Sequence, residues 1–151
     1  MTAMASTHAY RIHERLGVVL FEGQGALSFE TWSAGVDAAL ADPVFRPGFR
    51  FISDRRHMDA SRTDRRFADA TLFLRSRAAR LGPIRWAVLI GGNDPAYTLV
   101  RATAVLAQSS VVQLEPFSDL DEALEWILQV VDDEDFAELR DWVAEGSNPH
   151  K

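Results

Sequence analysis

A single α/β domain with a mostly parallel sheet and an antiparallel first strand is the fold this sequence predicts. Three observations lead there. Short apolar runs alternate with longer stretches whose apolar residues recur at helical spacing. The first two runs stand too close together for a helical crossover, so they form a hairpin. Trp86-Ala87-Val88-Leu89-Ile90 is apolar without a break, the pattern of a strand covered by helices on both faces.

Each element has its own warrant. Residues 1–9 are small and polar and are expected to form a flexible N-terminus. Tyr10, Ile12 and Leu16 alternate with Arg11, His13 and Arg15, which predicts a half-exposed strand. Gly17 supplies a turn, and Val18-Val19-Leu20-Phe21 is a more buried strand that Gly23 and Gly25 should end. Ser28 is placed to cap a helix carrying Phe29, Trp32, Val36 and Leu40 on one face, and Pro43 stops it. Phe49 to Ile52 is the third strand.

The next helix, capped by Ser61 or Thr63, sets Phe67, Ala70, Thr71, Leu74, Ala78 and Leu81 on one face. Gly82-Pro83 ends it. After the strand at Trp86, Gly91-Gly92 turns the chain, and Asp94-Pro95 opens a helix to about Gln108. A shorter strand covers Val111 to Leu114. Ser118 or Asp119 caps a helix buried through Leu120, Ala123, Leu124, Ile127 and Val131. Phe136, Leu139, Trp142 and Val143 mark a further short helix over 132–146, whose apolar face either packs on the domain or meets a partner. Residues 147–151 are read as a flexible tail. The domain proper is thus expected over 10–131, with a C-terminal helical extension.

The chain has 151 residues, enough to bury a sizeable core, and is 47% hydrophobic and 25% charged. No apolar run is long enough for a membrane span, and the first residues lack the pattern of a secretory signal. Cysteine is absent, which excludes disulfides, thiolate metal sites and cysteine nucleophiles and fits a cytoplasmic location. The net charge of −6 is unevenly spread. Arg46 to Arg85 holds 11 Arg against 4 Asp, and Glu115 to Glu145 holds 12 acids against Arg140. Such polarity suits solvated helix faces that can pair with each other. The overall acidity argues against nucleic-acid binding.

Chemistry concentrates after the third strand. His57 lies among Asp54, Arg55, Arg56 and Asp59, yet no nucleophile accompanies it, so an exposed loop histidine is expected. The four histidines have no metal-ligand spacing. No catalytic residues, metal site or cofactor are predicted. In open α/β sheets ligands favour the carboxyl ends of strands. There Arg55, Arg56 and Arg62 are placed to meet an anionic group, with His57 beside them. Trp32, Phe67 and Phe73 are candidate walls of an apolar cleft between helices and sheet.

From about Tyr10 to Leu128 the chain resembles the STAS/SpoIIAA-like domains, in particular the STAS-like branch related to the CRAL-TRIO lipid-binding fold. The segments that carry the resemblance are GVVLFEGQG, ALADPVFRPGFR, RFISDRRHMD, RWAVLIGGND and FSDLDEALEWI, taken in their order and spacing. The resemblance implies a SpoIIAA-like βαβ sandwich and a non-enzymatic module that works through a protein partner or self-association, for instance as a homodimer. The alternative is a carrier or sensor of a small amphipathic, lipid-like or anionic ligand. It also implies a phosphosite at the N-terminus of the helix after the third strand, where Ser61 and Thr63 stand. The family's glycine-bearing pattern is replaced there by Asp59-Ala60-Ser61-Arg62-Thr63-Asp64. A phosphate would suit the helix's positive end, with Asp59 and Asp64 opposing it.

Overall fold

The hairpin that opens the chain is longer than the sequence pattern suggests. In the computed structural model, which describes residues 7–58, 67–91, 101, 112–129 and 132–146, with the backbone alone at 67 and 68, β1 spans Thr7–His13 and β2 Val18–Gln24. The two are antiparallel, with Thr7 opposite Gln24 and His13 opposite Val18. Gly23, expected to end β2, lies inside it. A Cβ there would run into the Thr7 carbonyl, so glycine lets β1 continue across. Leu16 is not on the strand; it falls in the turn and is buried.

β3 (Arg50–Asp54), β4 (Ile84–Leu89) and β5 (Val112–Phe117) follow in parallel, giving a five-stranded sheet in the order β1-β2-β3-β4-β5. Helix α1 (Phe29–Ala41) is capped by Ser28, whose hydroxyl accepts from the Thr31 N–H at 3.0 Å. The expected helix after β3 divides into α2 (Phe67–Ser76) and the single turn α3 (Ala78–Leu81). The break falls at Arg77, whose fork is held on Asp37 of α1 at 2.9–3.0 Å while its guanidinium lies 4.2 Å from the Phe73 ring centre. Gly82 at φ 71° then stops the chain, as the sequence predicts. Asp119 caps α4 (Leu120–Leu128) by accepting from the Glu122 N–H. The expected caps at Ser61, Thr63 and Asp94, and the helix toward Gln108 apart from Arg101, lie outside the described residues.

Two cores follow from strand alternation. Val19, Phe21, Phe51, Trp86 and Val88 pack against α1, α2 and α3. Val18, Leu20, Ile52, Ala87 and Leu89 pack against α4 and the C-terminal helix α5 (Asp133–Gly146). This resolves the alternative left open for the extension: Leu139 and Val143 are fully buried on the domain. Polar contacts pin α5 to the hairpin. Arg11 donates to the Trp142 carbonyl at 3.0 Å, and Arg15 pairs with Asp135 and Glu138 at 2.8 and 2.9 Å. The acidic C-terminal stretch therefore meets the hairpin's arginines. Those of the basic stretch that reach α4 donate instead to its last carbonyls, Arg85 to Trp126 and Arg50 to Ile127.

Candidate functional site

The period-two alternation of β3 separates residues that stand side by side in the sequence. Phe51 belongs to the α1/α2 core, and Ser53 accepts from the Trp86 Nε1–H at 2.9 Å on that face. Arg55 continues the same row and the ladder, its N–H donating to the Leu89 carbonyl. Asp54 points to the other face.

Arg55 is half-buried, and its Nε is buried without a hydrogen-bond partner. Burial pushes its guanidinium down to about 10. Arg56 takes a different role. Its Nε and Nη2 donate to both carboxylate oxygens of Asp54 at 2.9 and 2.8 Å, and its backbone N–H adds a third bond. Asp54 is only 4% exposed. Burial is the largest influence on this carboxyl and pushes it up. The bonds from Arg56, with the charges of Arg56 and His57, outweigh it and hold the group below its usual value. His57 is exposed, as the sequence suggests.

Arg55 lies close enough for its charge to act on His8, which begins a continuous row of rings on this face. His8 stacks on Phe21 at 5.5 Å between ring centres, Phe21 on Trp86 at 6.0 Å, and Trp86 on Trp32 at 6.0 Å. Phe73 meets Trp32 at 5.4 Å, and Phe29 closes the group at 6.0 Å from Trp32. Trp32 is almost buried, and its Nε1–H has no acceptor. Two unpaired donors on one face stand out, because buried N–H groups are nearly always satisfied and each unmade bond costs about 1–3 kcal/mol.

The structure thus brings Arg55, Trp32 and Phe73 to one face of the sheet, sets Arg56 on Asp54 and leaves His57 in solvent. Ser61, Arg62 and Thr63 lie outside the described residues; Phe67 opens α2 with its side chain undescribed. Sequence reasoning does not single out His8 or Asp54 as site residues. It places His8 in a flexible terminus, although the spacing of His8 from Tyr10 and Ile12 puts it on their face. Among the described residues no cluster has the make-up of a metal site, and no helix is long and apolar enough to cross a membrane.

His8 carries a testable consequence. Burial, with the Arg55 charge second, lowers its imidazole to about 4. The unfolded chain takes up this proton near the ordinary value of about 6.5, where the folded chain refuses it. Its contribution to stability is therefore full above about pH 6.5 and is lost as pH falls toward about 4. Partial exposure limits the loss to about 1–2 kcal/mol. Urea midpoints measured across this range should flatten in His8→Gln relative to wild type; equal slopes would assign the acid sensitivity elsewhere.

The fold can be placed among solved structures. It matches an uncharacterised DUF3478-family protein with a SpoIIAA-like fold from Shewanella loihica, at a TM-score of 0.56 and 20% identity, over 84% of this chain and 98% of that one. The chain accordingly has a SpoIIAA-like fold, five strands with one antiparallel pair and helices on both faces. No family model and no curated protein sequence matches it.

Proposed function

We propose that this protein is a non-catalytic SpoIIAA-like binding module whose ligand is a small amphipathic anion. The observation that carries the reading is the unpaired Arg55 donor at the carboxyl end of β3, on the sheet face that also carries the rings of Trp32, Phe29 and Phe73. A guanidinium left with a free N–H in a half-buried place suits a carboxylate or phosphate head. The half-buried rings of Phe29 and Phe73 suit an apolar tail. Arg56 contributes indirectly, by keeping Asp54 neutralised so that its charge does not oppose the ligand's.

Protein-partner binding and self-association expect an exposed apolar patch. Among the described residues Leu72, 62% exposed, is the large apolar side chain left in solvent, and a single such residue is ordinary. The small-ligand reading is therefore preferred.

Decanoate is a suitable probe, read through tryptophan fluorescence. Saturable quenching is expected, and Arg55→Met should weaken binding about 10- to 100-fold, the worth of a hydrogen bond to a charged group. Arg140→Met removes an exposed charge from α5, on the other face of the sheet, and serves as the contrast. Equal affinity in wild type and Arg55→Met would overturn the reading. Native mass spectrometry of the purified protein adds a second arm. Mass lost on denaturation supports a bound small molecule, whereas a clean dimer with no adduct supports self-association.

A further inference from the structure

The opposite end of the sheet, at the amino ends of the parallel strands, carries a groove of about 720 Å³. Gly17 in the hairpin turn, Arg50 at the start of β3, Arg85 near the start of β4 and Gln113 of β5 line it, with Phe49 and Gln129. None of these residues belongs to the Arg55 site, so the two ends stand or fall separately.

The local chain geometry keeps this recess open. Gly17 has φ 64°, and the Phe49 ring already stands 3.2 Å from where its Cβ would be, so a side chain there would be both strained and crowded. At the far rim Gln129 ends α4 at φ 63°, in a region that non-glycine residues seldom occupy.

The positive charge in the groove is only partly compensated. Arg50 donates to the carbonyls of Ile127 and Leu16, and Arg85 to that of Trp126 at 2.8 Å. These are neutral acceptors; among the described residues neither guanidinium pairs with a carboxylate. Arg15 also lines the groove but is taken by Asp135 and Glu138, while Glu14 is its one acidic residue. The bonds to α4 explain why two arginines stand here, since cations at a helix C-terminus are favourable. They do not explain the Arg85 Nε, which is buried without a partner. Two guanidinium forks with donors to spare, flanked by the amides of Gln113 and Gln129, form a recess matched to an oxyanion.

We propose that this groove is a second binding site, for a small molecule bearing an oxyanion, which Arg50 and Arg85 hold while Gln113 and Gln129 bond its polar remainder. Carboxylate and phosphate share this chemistry, so both are tested, as acetate and inorganic phosphate, by following the Arg85 Nε–H signal in NMR at fixed ionic strength. A saturable shift is expected with at least one probe, and the tighter of the two names the class. Replacing Arg50 or Arg85 would also uncap α4, so the decisive variant is Gln113→Glu. Gln113 is exposed and takes no part in the bonds of Arg50 and Arg85 to the Ile127, Leu16 and Trp126 carbonyls. The added charge should weaken the anion about tenfold or more. A shift that never saturates, one that chloride reproduces, or one that Gln113→Glu leaves unchanged would overturn the proposal.

Discussion

Leu139→Ala is expected to destabilise the protein by about 2–4 kcal/mol, because it empties a fully buried position between α5 and the sheet. The replacement removes apolar surface that had left water and opens a cavity that the fixed backbone refills only in part. α5 has little freedom to collapse into it, being tied to the hairpin by Arg11 and Arg15 at its two ends. Val143, also fully buried, should behave alike on a smaller scale. Urea denaturation reads the effect as a lowered midpoint at constant slope. A change below about 0.5 kcal/mol, the range of ordinary surface substitutions, would mean that the extension does not pack on the domain in solution.

Arg56→Met is the second large effect, expected at about 2–3 kcal/mol near neutral pH. Removing one member of a buried pair leaves an uncompensated charge, at about 3–5 kcal/mol where both groups are enclosed. Arg56 is partly in solvent, which reduces that figure. Asp54 would keep the backbone N–H of residue 56 but lose both side-chain bonds.

The pH dependence separates this mechanism from simple loss of packing. In the wild type the folded carboxyl titrates below its unfolded value. The pair's contribution is present above about pH 3.9 and is lost as pH falls through the folded value. In Arg56→Met burial should dominate and raise the carboxyl. The sign then reverses: the variant loses stability as pH climbs from about 4 toward neutrality. Adding Asp54→Asn removes the stranded charge and should recover part of the loss. If the double variant is no more stable than Arg56→Met alone at neutral pH, the stranded-charge account fails.

Much of the frame was readable in the chain, and particular residues show why. The Ser28 and Asp119 caps form as expected because a cap needs only a hydroxyl or carboxylate and the free amides of the next turn. Gly82 stops its helix because the left-handed conformation it adopts is hard for other residues. The misreadings occur where a distant partner decides. β1 begins at Thr7 rather than Tyr10, and β2 runs through Gly23, because each strand's length is set by the other. The helix before Gly82 breaks at Arg77, whose partner Asp37 lies on α1. Arg55, Arg56 and His57 are basic neighbours, yet the sheet sets one on the face of the aromatic rings, clamps one on Asp54 and leaves one in water.

The fold class, the order of the described elements and the antiparallel start follow from the residues alone, since these rest on periodicity, on turn chemistry and on the spacing between runs. The sequence also names Trp32, Phe73 and Arg55 as residues of interest, though not their shared face. Packing in three dimensions sets the rest: His8 stacks on Phe21, Asp54 is buried under Arg56, α5 completes the second core, and Arg50 and Arg85 meet at a groove. The physical reason is nearly the same for all four. Three depend on contacts between residues far apart in the chain, and the fourth, a pair two residues apart, depends on the packing that buries Asp54; strand register and helix packing set this geometry and leave no local mark on the residues involved.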